Sequence, residues 1–251
     1  MIIGIIPARY GSTRFPGKPL ADIGGKSMIQ RVLEQASQAK LLAKVVVATD
    51  DDRIAEAVHR LGYEAVMTRV DHPSGTDRCW EAYNLLVESG TLAADTSNYV
   101  INIQGDEPFI DPAQIDELAT ILDGTVELAT QMASVDSAEI LHDLKEAKII
   151  INAQNEALYF SRAAIPYLWG IEPDQWHEHH EYHRHVGLYA YRADILEAIT
   201  QLPPSPLEQA ESLEQLRWLE AGYRIKLIET SYQTPTVDSP ADIEKILRDV
   251  L

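Results

Sequence analysis

The sequence predicts an α/β protein built on a largely parallel β-sheet. Three observations carry this: short apolar runs suited to burial on both faces, helical periodicity between them, and connections rich in Gly, Pro or Asp. Ile2–Pro7 is a continuous apolar run ended by Pro7, which reads as a buried strand. A Gly- and Pro-rich loop spans 8–26, after which Met28, Ile29, Val32, Leu33 and Ala36 recur at helical spacing. Lys44–Thr49 reads as a second buried strand, and Asp50, Asp51 and Asp52 offer caps for a helix over Ile54–Leu61. Glu64–Thr68 reads as a third strand and Gly75–Glu88 as a helix. Tyr99–Gln104 is the fourth strand, and Asp111-Pro112 opens another helix with proline in its first turn. Ligands in such sheets bind beyond the carboxyl ends of the strands. The segments there are 8–18, 50–52, 69–78 and 105–108, and together they point to one composite site.

From Lys148 the pattern changes. Lys148–Ala153, Ala157–Phe160 and His185–Arg192 read as strands separated by long connections. Pro203-Pro204-Ser205-Pro206 marks a turn, Leu207–Leu219 a helix, and Arg224–Glu229 a return to the main sheet. The expectation is a single domain over 1–251 with an inserted subdomain at about 148–205.

Composition narrows the function classes. Apolar residues are 45% and charged residues 24% of the 251, enough for a core without disulfide or metal staples. Cys79 is the lone cysteine, which excludes an intrachain disulfide and a Cys-based zinc site. The apolar N-terminal run is too short for a signal sequence, and no stretch reaches the roughly 18–20 residues of a membrane span. A cytoplasmic protein without a membrane partner is expected. The net charge of −18 disfavours nucleic acid as a partner. Within residues 1–31, however, Arg9, Arg14, Lys18, Lys26 and Arg31 face only Asp22, so a small anionic ligand remains open.

The strongest local feature is Pro7-Ala8-Arg9-Tyr10-Gly11-Ser12-Thr13-Arg14-Phe15-Pro16-Gly17-Lys18-Pro19. A glycine-rich loop after a strand, carrying three cations, suits phosphate binding. It is not a P-loop, because five residues separate its glycines and Pro19 follows the lysine. The plain alternative is a basic surface loop. Asp106, after Gly105, and the distant Asp238 are candidate Mg²⁺ carboxylates, with helix capping as the alternative for each.

These residues resemble a known family. Arg9, Ser12, Arg14, Gly17, Lys18 and Pro19 fall as in the ARYxSxRxPGKP signature of the sugar-acid cytidylyltransferases, most closely the 3-deoxy-manno-octulosonate (Kdo) cytidylyltransferase family. The similarity continues through Ala48-Thr49-Asp50, Met67-Thr68-Arg69, His72-x-Ser74-Gly75-Thr76-Asp77-Arg78 and Asn102-Ile103-Gln104-Gly105-Asp106-Glu107-Pro108. Ala157–Arg162, His185–Arg192, Leu213–Arg217 and Val237–Pro240 complete it along nearly the whole chain. Gly11, Ala190 and the stretch 233–236 depart from the commonest pattern.

The resemblance implies a Rossmann-like nucleotidyltransferase fold with a mainly parallel mixed sheet and a small inserted dimerisation subdomain, in a homodimer. It implies transfer of CMP from CTP to the C2 hydroxyl of Kdo, giving CMP-Kdo and pyrophosphate for lipopolysaccharide biosynthesis. Lys18, Arg9, Asp106 and Asp238 are the catalytic residues it implies, with Mg²⁺ as cofactor on Asp106 and Asp238. Nucleotide contacts carry over to Pro7, Ala8, Arg9, Ser12, Arg14, Lys18, Arg69, Ser74, Gly75, Arg78 and Gln104. Sugar-acid contacts carry over to Gln104, Arg162, His185, Glu214 and Gln215, with Arg162 or His185 facing the carboxylate. Glu107 orients the turn. The alternatives are another sugar acid (8-amino-Kdo or a neuraminate) or a non-enzymatic nucleotide sensor, against which Lys18, Asp106 and Asp238 all argue.

The segment His177-Glu178-His179-His180-Glu181-Tyr182-His183-Arg184-His185 invites a zinc reading. Glu181 stands four residues after His177, so H-E-x-x-H is absent, although His179 and His183 have i,i+4 spacing. A solvated loop is expected.

Overall fold

The computed structural model describes residues 1–11, 15–232 and 234–249. The chain begins with β1 (Ile2–Ala8), a 3-10 turn (Lys18–Leu20), β2 (Asp22–Ile23), β3 (Lys26–Ser27) and α1 (Met28–Ala36). It continues through β4 (Lys44–Thr49), α2 (Asp52–Arg60), β5 (Glu64–Met67), α3 (Gly75–Glu88), β6 (Tyr99–Asn102) and α4 (Pro112–Thr120). Then come β7 (Leu128–Val135), α5 (Ala138–His142), β8 (Lys148–Ile151), β9 (Ala157–Ser161), α6 (Trp176–His179) and β10 (Tyr182–Arg192). The last elements are α7 (Ala193–Thr200), α8 (Pro206–Glu211), α9 (Gln215–Glu220), β11 (Ile225–Glu229) and α10 (Pro240–Asp249).

Among the described residues the main sheet runs β11-β7-β10-β6-β1-β4-β5, with β8 bonded to β10 and β9 to β8. β6, β1, β4 and β5 are parallel, as are β11 and β7. β10 runs antiparallel between β6 and β7. The apolar runs become strands because helices cover both faces. Ile3, Ile5, Val46, Ala48 and Leu128 pack with Cys79, Leu196 and Trp218 on one side. Ile6, Val47 and Ile101 meet Ile29, Leu33, Val58 and Ile115 on the other. Ser27, Asp51, Ser74 and Asp111 cap α1, α2, α3 and α4, each accepting from a main-chain N–H of the first turn.

Several elements differ from the sequence reading. β7 escapes it because Gln131 interrupts the apolar pattern; Gln131 is buried only because its amide and that of Gln114 bond each other at 3.0 Å. β10 begins at Tyr182, and a bulge between Val186 and Tyr189 is bound by Thr130 Oγ1, which contacts the carbonyls of Val186 and Leu188. The helix expected over Leu207–Leu219 is broken at Ser212, whose φ of 52° is left-handed, giving α8 and α9. The stretch 148–205 is divided: the β8–β9 hairpin flanks the start of β10, whereas the end of β10 and α7 belong to the central layers. The His177–His185 segment is not a loop but α6 followed by the start of β10, anchored by buried Trp176 and Tyr182. No described helix is long and apolar enough to cross a membrane.

Candidate functional site

The carboxyl ends of β1 and β6 open into a cavity of about 260 Å³. Its walls are Pro7, Ala8, Arg9, Lys18, Pro19, His72, Pro73, Ser74, Gly75, Arg78, Gln104, Gly105, Asp106 and Asp238. Backbone sterics shape it. A Cβ on Gly105 would lie 2.9 Å from the Pro7 carbonyl oxygen, so only glycine lets the turn after β6 cross the end of β1. A Cβ on Gly75 would lie 3.3 Å from Pro7 Cγ, which brings the start of α3 against the same strand end. Gly17 has φ +72° and its N–H donates to the Tyr10 carbonyl at 2.9 Å, closing the base of the loop that delivers Lys18.

Three charges from distant parts of the chain meet at this mouth. Lys18 Nζ lies 2.8 Å from Asp106 Oδ2 and 3.9 Å from Asp238 Oδ1. The Val237 N–H donates to the Asp106 carbonyl at 2.9 Å, tying the start of α10 to the turn after β6. The Asp242 carboxylate accepts from the Asp238 and Ser239 N–H groups, which orients Asp238. Glu107 is buried beneath them; desolvation and the charge of Asp106 push its carboxyl up to about 7. Its Oε2 accepts from Thr234 Oγ1 at 3.3 Å.

Arg78 is almost fully buried and donates to Thr68 Oγ1 at 2.6 Å and Asp50 Oδ2 at 3.3 Å. His72 bonds Glu81 through Nε2, and Glu81 also accepts from the Arg69 N–H at 2.9 Å, folding the loop before α3 back onto that helix. His72, Pro73 and Pro19 are wall residues that sequence reasoning did not select as contacts.

A second group of polar side chains adjoins this cavity. Ser74 Oγ, at the head of α3, lies 2.7 Å from Asp77 Oδ2 and 3.0 Å from Glu214 Oε1, so its one proton can be given to either carboxylate. Burial raises the Glu214 carboxyl. Gln215 Nε2, Tyr189 OH and Asn102 Oδ1 are buried without a hydrogen-bond partner among the described residues. Asn102 and Tyr189 are register partners on β6 and β10, and two of the three tyrosines of that strand, Tyr189 and Tyr191, feel the charge of Glu214. An unsatisfied buried polar group costs about 1–3 kcal/mol, so a cluster of them marks a place for a polar ligand or water. Asn102 and Tyr189 were missed because each reads as an ordinary strand residue; the weak signal was an Asn ending an apolar run.

The structure therefore unites Pro7, Ala8, Arg9, Lys18, Ser74, Gly75, Arg78, Gln104, Asp106 and Asp238 on one cavity, with Glu214 bonded to its Ser74. Ser12 and Arg14 lie outside the described residues. Three expectations are corrected. Arg69 is not on the cavity: Asp71 at 3.6 Å and Glu81 at 3.8 Å draw its guanidinium to a cleft on the outer side of α3. Arg162 is not on it either, since its guanidinium donates to the carbonyls of Glu211, Leu144 and Ser212 at 2.7, 2.9 and 3.2 Å. His185 lines a neighbouring cavity of about 690 Å³ with Glu107, Tyr232 and Lys245. Burial pushes its imidazole down to about 3, so it is neutral near pH 7 and offers a carboxylate no charge. Its Nε2 is 3.0 Å from Thr130 Oγ1.

Comparison with known proteins identifies relatives of this chain. The family model described as cytidylyltransferase matches residues 3–228. The 3-deoxy-manno-octulosonate cytidylyltransferase of Cytophaga hutchinsonii is 50% identical over 246 residues, covering 98% of this chain and 96% of its own. That of Parabacteroides distasonis is 51% identical over 250 residues, covering 98% and 96%. The solved structure of CMP:2-keto-3-deoxy-manno-octonic acid synthetase complexed with CTP superposes with a TM-score of 0.87 at 45% identity, covering 98% of this chain and 97% of that one. A cytidylyltransferase from Leptospira borgpetersenii shares the fold, with a TM-score of 0.60 at 16% identity over 98% of this chain and 84% of its own.

Proposed function

This chain belongs to the 3-deoxy-manno-octulosonate cytidylyltransferase family, and from that membership we propose that it transfers CMP from CTP to the C2 hydroxyl of Kdo, releasing pyrophosphate. The observation that carries the reading is the convergence of Lys18, Asp106 and Asp238 on one cavity at the end of β1. The triphosphate lies along the Arg9–Lys18 side, with the first turn of α3 at Gly75 presenting main-chain N–H groups to it. Arg78, held by Thr68 and Asp50, orients the nucleotide from the opposite wall. The acceptor sugar acid meets Gln104, Asn102, Tyr189, Glu214 and Gln215, of which Asn102, Tyr189 and Gln215 supply the donors and acceptors left unmatched among the described residues.

Asp106 and Asp238 are a fitting pair for Mg²⁺, because both already face one cation, the Lys18 ammonium. Mg²⁺ takes one or two protein carboxylates together with phosphate oxygens and water. When bound there it supplies charge neutralisation at the α-phosphate and favours the ionised acceptor hydroxyl. Lys18 and Arg9 would neutralise the triphosphate and the departing pyrophosphate. No protein nucleophile is needed, since the sugar hydroxyl attacks directly. Catalysis is positioning plus electrostatics.

The exposed Trp169 and Tyr167, at 91% and 67%, support a homodimer contact through the connection after β9, checked by sedimentation. Cytoplasmic supply of CMP-Kdo for lipopolysaccharide biosynthesis completes the reading. The deciding assay is pyrophosphate release from CTP with and without Mg²⁺, using Kdo, 8-amino-Kdo and a neuraminate in parallel. Release with Kdo above the other acids is expected. Preference for another acid revises the substrate, and no release with any acid overturns the enzyme reading.

A further inference from the structure

The acceptor wall is held in place from outside. Between α8 and α9 the chain turns at Ser212, with φ 52° and ψ 48°. A non-glycine residue keeps that left-handed conformation only where its surroundings over-determine it. The surroundings are the end of β9. The Glu211 carboxylate accepts from Ser161 Oγ at 2.7 Å and from the Arg162 N–H at 3.0 Å. The Glu211 and Ser212 carbonyls accept from Arg162 Nε and Nη2 at 2.7 and 3.2 Å. Four hydrogen bonds thus join residues 161–162 to 211–212 across some 50 positions of sequence.

This clip sits immediately before Glu214 and Gln215. It fixes the peptide planes that lead into them, while buried Leu213 and Leu216 pin the same segment from the core. Gln215 is itself 4% exposed with its amide nitrogen unpartnered, so its direction depends on where α9 starts. A bare helix end would need none of this, because α8 is already terminated once Ser212 turns.

We propose that Glu211 is a positioning residue for the acceptor: by binding Ser161 and Arg162 it sets the register of Glu214 and Gln215 against the sugar acid, without touching substrate. The inference rests on the assignment of Glu214 and Gln215 to the acceptor wall. It gives the β8–β9 hairpin a part in catalysis alongside any part in assembly.

The test is steady-state pyrophosphate release with CTP and Kdo on the full chain. Glu211→Ala is expected to raise the KM for Kdo by about tenfold while the KM for CTP stays within about twofold. Glu211→Gln keeps one acceptor oxygen and is expected to restore about half of that loss on a logarithmic scale. Ser161→Ala, which removes one donor, is expected to raise the Kdo KM by about threefold and carries the test if Glu211→Ala does not fold. An unchanged Kdo KM in these variants, or parallel increases in both KM values, overturns the proposal while leaving the function standing. Absence of pyrophosphate release by the unsubstituted protein overturns the functional reading, and this inference with it.

Discussion

The nucleotide wall and the acceptor wall of this site are built by different means. The nucleotide wall is local: strand ends, tight glycine turns and a helix cap put Pro7, Lys18, Ser74 and Gly105 where they are. The proposed acceptor wall is assembled from β6, β10 and α9, and it leaves buried polar atoms of Asn102, Tyr189 and Gln215 unmatched among the described residues. Close backbone approaches at Gly75 and Gly105 and the Ser74 cap shape the first. The second holds unsatisfied hydrogen-bonding capacity that the proposed sugar-acid ligand would complete. Preorganised charge and unsatisfied polarity are thus separated in one cleft, with Ser74 and Glu214 bonded across the seam.

The largest test of this contrast is removal of charge from the nucleotide wall. Lys18→Ala and Asp106→Ala are expected to lower turnover by about 10³-fold or more with little change in thermal stability, measured by pyrophosphate release and by melting. Comparable turnover in either variant breaks the assignment. Gly105→Ala strikes the same wall through sterics. Its Cβ would meet a carbonyl oxygen at 2.9 Å, which cannot yield as a flexible side chain can. A loss of about 1–3 kcal/mol in denaturant unfolding, together with weaker CTP binding, is expected.

In the neighbouring cavity, outside both walls, His185 gives a pH signature. Its folded pKa lies near 3 against 6.5 for the free side chain, because burial disfavours the cation. The unfolded chain therefore binds the extra proton first. His185 contributes nothing above pH 6.5, and stability is lost as pH falls from 6.5 towards 3, by at most about 1.4 kcal/mol per pH unit. Urea unfolding at several pH values should show this slope, and His185→Gln should flatten it.

Tyr189→Phe sharpens the comparison. Removing a buried hydroxyl that has no partner among the described residues should leave stability unchanged or raised by up to about 1 kcal/mol, yet raise the Kdo KM about fivefold. A clear loss of stability would show that the hydroxyl is satisfied internally. The smallest effect belongs to Arg69→Ala, expected to keep both KM values within about twofold because its guanidinium turns away from the cavity.

Legibility in the sequence follows the same division. β1, β4 and β6 were readable because strands buried on both faces require unbroken apolar runs, and the residues after them fall at the ligand-binding end of the sheet. β7 was not readable, since Gln131 is tolerated there only by its mutual bond with Gln114. α7 and α10 escaped as well, and Asp238 was reached through family resemblance rather than periodicity. Arg162 shows the limit most clearly. A motif placed it near a sugar acid, whereas its guanidinium is taken up by carbonyls of two remote segments.

The sequence by itself determined the α/β class, the four parallel strands of the nucleotide half and the basic loop. Each of these rests on short-range rules: apolar periodicity, glycine geometry and caps. Tertiary structure alone decided which polar groups remained unmatched, which arginines faced the cavity, and that Lys18 bridges Asp106 and Asp238. Those outcomes depend on distances between residues up to 220 positions apart, such as 3.9 Å between Lys18 and Asp238, and no local pattern encodes them.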